Sequence, residues 1–152
     1  MIKVQREDFE VGAELDAISA GRPNVGAVAA FVGLVRDLAE GNDISAMTLE
    51  HYPGMTERQL EALEAEARGR WQLDEVLIVH RYGRLQPGDR IVLCAATSAH
   101  RQDAFEACAF LMDWLKTKAP FWKLEETPDG DRWVDARESD DEAAARWRKT
   151  TP

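Results

Sequence analysis

Several things are missing from this sequence, and each absence excludes a class of protein. No apolar run approaches the ~20 residues that a membrane-spanning helix needs. The opening stretch, Met1-Ile2-Lys3-Val4-Gln5-Arg6-Glu7-Asp8, is charged and holds no apolar signal segment, so the expected address is the cytoplasm. Cys94 and Cys108 are too few for a disulfide framework; both lie in apolar surroundings and read as small buried hydrophobes. His51, His80 and His100 lie far apart and match no zinc-ligand spacing, so no metal site is expected. Positive charge is in deficit, with 19 Lys and Arg against 28 Asp and Glu, a net charge of −9. General nucleic-acid binding, which needs a basic footprint, is therefore disfavoured. Internal repeats and low-complexity tracts are absent as well.

What is present suits one soluble domain spanning residues 1–152 with one sizeable core: 152 residues, 45% of them hydrophobic. Gly21-Arg22-Pro23-Asn24 is a loop signal, after which Val25 to Val35 reads as a buried strand. Asp37 to Asp43 is polar and reads as a loop. Ile44 to Tyr52 alternates with strand periodicity, and Pro53-Gly54 ends it. Thr56 with Gln59 predicts a capping box for a helix that puts Leu60, Leu63, Ala67 and Trp71 on one face. Val76 to Tyr82 and Ile91 to Thr97 read as strands joined through the turn Gln86-Pro87-Gly88-Asp89. Ser98 is expected to cap a second helix that runs to about Lys118 and is stopped by Pro120. Phe121 to Glu126 and Arg132 to Ala136 read as a further strand pair around Pro128-Asp129-Gly130. Ser139 with Glu142 predicts a short C-terminal helix bearing Trp147. The class is α+β, with mostly antiparallel strands and two main helices.

Unusual polar residues gather between Ser98 and Glu125. His100 and Arg101 fall in the first turn of the second helix, where free backbone N–H groups attract anions. A cation there opposes the helix dipole, which suggests a bound anion; a solvated helix start is the bland alternative. Lys116 lies in the last turn, where the dipole favours a lysine anyway. Lys123 sits between Trp122 and Leu124; it either snorkels to water or, held in an apolar pocket, serves as base or nucleophile. Arg36 stands where a buried strand opens into a loop, and Arg137 follows the last strand. Both suit phosphate recognition or a surface ion pair. His51 reads as a packed strand-end histidine. These residues alone indicate a small anionic ligand and lysine-assisted chemistry without naming a reaction.

Four segments carry a resemblance. They are Leu49-Glu50-His51-Tyr52-Pro53-Gly54-Met55-Thr56, Thr97-Ser98-Ala99-His100-Arg101, the run Asp113-Trp114-Leu115-Lys116-Thr117-Lys118-Ala119-Pro120-Phe121-Trp122-Lys123, and Gly130-Asp131-Arg132-Trp133-Val134. In this order they resemble the signatures of the molybdopterin synthase large-subunit family, and the similarity runs from about Gly26 to Trp147. The resemblance implies an α/β hammerhead-type fold with an additional small antiparallel sheet. It also implies a homodimer within a heterotetramer, in which each end binds a small ubiquitin-like subunit whose Gly-Gly tail carries a thiocarboxylate. The implied reaction transfers two sulfurs to cyclic pyranopterin monophosphate, opening its cyclic phosphate and forming the dithiolene, with no cofactor or metal. By matching position, Lys116 meets the thiocarboxylate tail and Lys123 is the second essential lysine. Arg36, His100 and Arg101 match the pterin- and phosphate-binding set, and Phe31, Met112 and Glu125 match the pocket. Arg137 matches an arginine supplied across the dimer. Leu34, Val35 and Leu124 lie inside the binding segments; some relatives carry a basic residue at Leu34 and Leu124.

Three other readings stay open at this level: a non-catalytic module that kept the pocket, a different lysine-dependent enzyme for a phosphorylated heterocycle, and an assembly protein that only docks a ubiquitin-like partner. The resemblance locates the sulfur on the partner, and this chain ends Lys149-Thr150-Thr151-Pro152, not Gly-Gly. A double Cys94→Ser, Cys108→Ser variant is therefore expected to keep sulfur transfer in a reconstituted assay. Loss of turnover in a folded variant would put the sulfur on this chain instead.

Overall fold

Two neighbouring strands set the architecture. β6 (Glu75–Arg81) and β8 (Arg90–Ser98) are buried along almost their whole length, because helices cover both of their faces. They pair antiparallel, with Ile78 opposite Cys94. Val76, Ile78, Val92 and Cys94 face one core, with Leu60, Ala67, Phe110 and Leu111. Leu77, Val79, Leu93 and Ala95 face the other, with Phe9 and Ile18. Period-two alternation thus sends successive apolar residues into two separate layers.

The computed structural model describes residues 1–36, 38–39, 42–43, 46–118, 121–128, 130–134, 142, 144–145 and 147–148. β1 (Ile2–Gln5) pairs parallel with β6, and β2 (Ala27–Leu34) pairs antiparallel with β8, giving a four-stranded sheet in the order β1-β6-β8-β2. Helix α1 (Val11–Ser19) covers one face; α2 (Met55–Arg70) and α3 (Arg101–Thr117) cover the other. β3 (Leu38–Ala39) and β4 (Asn42–Asp43) form a small hairpin where a loop is expected from the sequence. A second four-stranded, wholly antiparallel sheet has the order β10-β9-β5-β7, from β5 (Ala46–His51), β7 (Gly83–Leu85), β9 (Phe121–Thr127) and β10 (Gly130–Val134). The fold is α+β, as expected. β6 and β7 are separated only by Tyr82, so the two sheets meet at that point.

Local chemistry corrects two expected caps. Helix α2 starts at Met55 with Gly54 as its N-cap, and the Glu57 carboxylate accepts from the Gly54 N–H. Thr56 is instead a buried residue of the first turn, its hydroxyl donating to the Tyr52 carbonyl at 2.8 Å. Helix α3 has His100 as N-cap; Ser98 remains in β8, where its hydroxyl donates to the Gln72 carbonyl at 2.7 Å. The Gln86–Asp89 turn forms as expected, with the Asp89 N–H on the Gln86 carbonyl at 2.9 Å and Gly88 at φ 92°. Gly26 donates to the Ser98 carbonyl at 2.9 Å, and a Cβ there would collide with the Ala99 carbonyl. This close approach fixes the entry to α3. The short segments Ile2–Gln5 and Val11–Ser19 are not predicted from the sequence. The expected Ser139 cap lies outside the described residues.

Candidate functional site

The site grows from the seam between the sheets. His80 is the one strongly polar residue near the end of the apolar run Val76-Leu77-Ile78-Val79, and it is 8% exposed. Its ring lies flat on Phe121 of β9, with centroids 3.8 Å apart and an interplanar angle of 13°. Nδ1 lies 2.9 Å from the Arg81 carbonyl, and since a carbonyl only accepts, Nδ1 carries the proton. Burial pushes the His80 pKa down from 6.5 to about 4 against the opposing pull of that hydrogen bond. The positive fields of Lys116, Lys123 and His51 push it further the same way. Three elements, α3, β9 and β5, therefore bring basic side chains to one buried imidazole.

The register explains the convergence. On β9, Phe121, Lys123 and Glu125 pair with His51, Leu49 and Met47 of β5. Paired residues share a face, so Lys123 stands on the same side as buried Leu49 and Met47, and Glu125 there is only 6% exposed. Trp122 and Leu124 take the opposite face, where Trp122 meets Tyr52 with centroids 4.7 Å apart. Lys116 comes from the last turn of α3 and is exposed; Met112 lies one turn before it on the same stripe and packs on the core.

The other expected site residues divide by position along the sheet. β2 runs antiparallel to β8, and α3 returns after β8, so the end of β2 and the end of α3 lie at the same end of the first sheet. Leu34, buried Val35 and exposed Arg36 are thus at the lysine end. His100 and Arg101 begin α3 at the opposite end, both exposed. Fifteen helical steps take the chain from Arg101 to Lys116, about 22 Å at 1.5 Å per residue. That exceeds both a side chain's reach and the ~8 Å Debye length at physiological salt. Arg36, Lys116 and Lys123 are therefore not joined by His100 and Arg101 within a single chain, because α3, with His100 as its N-cap, Arg101 at its start and Lys116 in its last turn, is a rigid spacer. Phe31 lies between the two ends on β2, 41% exposed. Arg137 falls outside the described residues.

Sequence reasoning passes over His80, Phe121 and Tyr82. A lone histidine closing an apolar strand is the signal that could have found the first. His51 is packed, as expected, against Tyr82 at 4.4 Å between ring centroids. A groove of about 410 Å³ between α2 and α3 is lined by Gln59, Leu63, Glu66, Trp114 and Lys118. It contains neither Lys116 nor Lys123 and so is separate from the lysine cluster. Cys94 and Cys108 are both buried, with the Cys108 thiol 3.6 Å from the Cys94 carbonyl. The neighbouring thiol, with burial, pushes the Cys94 thiol up, so it does not present a ready thiolate. Among the described residues, no group of His, Cys, Asp and Glu is arranged to hold a metal, and no helix is long and apolar enough to cross a membrane.

The His80 environment makes folding acid-sensitive. The unfolded chain takes up a proton near pH 6.5 that the native imidazole refuses until about pH 4. This residue leaves stability unchanged above pH 6.5 and lowers it as pH falls through that window, by on the order of 2 kcal/mol between about pH 7 and pH 5. Urea unfolding at the two pH values should show a smaller acid loss for His80→Gln than for the unsubstituted protein. Equal losses would mean that the refused proton belongs to another group.

The comparisons with known proteins agree with this architecture. Residues 4–118 match the model of the MoaE protein family. A molybdopterin synthase catalytic subunit from Ralstonia nicotianae is 56% identical over 146 residues, covering 96% of this chain and 83% of the relative. The molybdopterin biosynthesis MoaE protein from Burkholderia ambifaria superposes with a TM-score of 0.83 at 56% identity, covering 97% of each chain. The crystal structure of molybdopterin synthase from Staphylococcus aureus gives 0.81 at 30% identity, over 88% of this chain and 96% of that one. The family model over residues 4–118, with relatives 56% identical along nearly the full length of the chain, places this chain in the MoaE family of molybdopterin synthase catalytic subunits.

Proposed function

We propose that this chain is the catalytic subunit of a cytoplasmic molybdopterin synthase. In this reading it transfers two sulfurs from the thiocarboxylated C-terminus of a small ubiquitin-like subunit to cyclic pyranopterin monophosphate, forming the dithiolene. The observation that carries it is that α3 ends, with Lys116, at the same end of the first sheet where β9, which bears Lys123, lays Phe121 on the buried His80. The name "catalytic subunit" borne by the relatives supports a second, non-identical chain. One lysine, as the free amine, serves as base or nucleophile toward the acyl-sulfur tail, while the other, as the ammonium, stabilises developing negative charge. Arg36 supplies a fixed cation for the phosphate at that end. Met112, Leu34, Val35, Leu124 and Glu125 contribute packing and backbone around it, and Arg137 adds a cation from a second copy.

The position of His100 and Arg101 supports a homodimer within the heterotetramer. β2 is an edge strand of its sheet, and Val28, Phe31 and Leu34 on it are 41%, 41% and 53% exposed. A two-fold axis across the middle of β2 sets its start beside the copy's end. That arrangement carries one copy's His100 and Arg101 toward the other's Arg36 and Lys116, closing the ~22 Å gap that α3 imposes within one chain. The helix N-terminus then faces the substrate phosphate.

In a reconstituted assay with thiocarboxylated partner and the pterin substrate, Lys116→Ala and Lys123→Ala are each expected to slow dithiolene formation by at least ~100-fold. Arginine at either position should not restore it, because arginine stays charged. Lys118, whose ammonium lies 5.3 Å from the Trp114 ring centre, is the control, and its alanine variant should stay near full activity. A fully active Lys123→Arg variant, or a Lys118→Ala defect as deep as the other two, would contradict these roles.

A further inference from the structure

One histidine beside the lysines has a fixed hydrogen-bonding direction. The His51 Nδ1 lies 3.0 Å from the Thr56 hydroxyl oxygen. That hydroxyl lies 2.8 Å from the Tyr52 carbonyl, which can only accept, so its single proton is committed there. The Thr56 oxygen must then accept from His51, and Nδ1 carries a proton whether the ring is neutral or charged. All proton exchange by His51 is confined to Nε2. Thr56 is fully buried in the first turn of α2, and its own N–H is bonded to the same Tyr52 carbonyl at 2.9 Å, so the relay is anchored in backbone.

The register aims this histidine at the lysine corner. His51 is directly opposite Phe121, and Lys123 is its diagonal neighbour across β5 and β9. Diagonal pairs stand about 7–8 Å apart at the backbone, within reach of a lysine. Tyr82 packs on one side of the imidazole at 4.4 Å and Phe121 on another at 6.0 Å between ring centroids. The titratable groups about it are Tyr82 after β6, His80 from β6 and, on the diagonal, Lys123 from β9; Lys116 from α3 bears on the same His80, and Glu125 lies farther along the same face, opposite Met47.

We propose that His51 is a positioning residue of the lysine site, presenting Nε2 as a hydrogen-bond acceptor that holds a lysine ammonium in place. Nε2 plays this part as the unprotonated nitrogen of the ring, because a protonated Nε2 is a donor. This role rests on the sulfur-transfer reading only for its activity readout.

Nitrogen-15 NMR of the imidazole tests it without substrate. The expected result is a neutral ring protonated at Nδ1, with an Nε2 resonance that moves when the lysine it holds, Lys123 or Lys116, is replaced by alanine. Thr56→Val should scramble the neutral tautomer and Thr56→Ser should preserve it. A neutral ring protonated at Nε2, or an Nε2 resonance unmoved by loss of either lysine, would overturn the proposal. In the reconstituted enzyme, His51→Gln should reduce kcat by about tenfold or more with little change in KM, within the ~100-fold that small misplacements cost. A His51→Gln variant with the unsubstituted kcat would also overturn it. Absence of turnover in the unsubstituted enzyme would instead defeat the sulfur-transfer reading, and the NMR result would still decide the role of His51.

Discussion

The stack of His80 on Phe121 joins two sheets that also meet through Tyr82 and through one shared core, where Met47, Leu49 and Leu85 of the second pack with Val76 and Ile78 of the first. His80 belongs to the doubly covered sheet, and Phe121 opens β9 of the antiparallel one. The contact brings the end of α3 and the inner face of β9 to the same place, and with them Lys116 and Lys123. Its chemical condition is a neutral imidazole, since a charged ring in that apolar seam would go unsolvated among other cations. Burial and nearby positive charge both favour that neutral form, and a hydrogen bond from Nδ1 to a main-chain carbonyl leaves it a satisfied polar group.

An acidic protein can still hold a positive site when its other cations are neutralised locally. Arg22 pairs with Asp74, Arg68 with Glu64 and Glu75, Arg84 with Glu126, and Arg90 with Asp8. The bidentate Asp8–Arg90 contact holds the Asp8 carboxyl down to about 2. Among the described residues, Arg36, His100, Arg101 and Lys116 are in no such ion pair. α3 acts as a spacer between the two groups of cations, with the anion-attracting N-terminus at one end and the lysine at the other.

Much of the fold was legible because burial leaves a pattern. The unbroken apolar runs of β6 and β8, the alternation of β5 and β9, and the Pro87-Gly88 turn each follow from local chemistry. Ile2–Gln5 and Val11–Ser19 were not legible: the strand is short and half polar, and Glu10 at the start of α1 makes no side-chain cap. The start of α2 was misread because Thr56 has the side chain of a cap but bonds backward to Tyr52 and sideways to His51. The lysines could be picked out as residue types. The stack of His80 on Phe121 is a tertiary contact between distant segments, with no periodicity to announce it. The separation of Arg101 from Lys116, by contrast, was contained in the helix length.

The central claim is that both lysines act on one buried imidazole. NMR titration of His80, in the unsubstituted protein and in Lys116→Ala and Lys123→Ala variants, tests it most directly. The account predicts a midpoint near pH 4 that rises in each variant as a positive neighbour is removed. A His80 that titrates near pH 6.5, or a midpoint indifferent to both lysines, would contradict it.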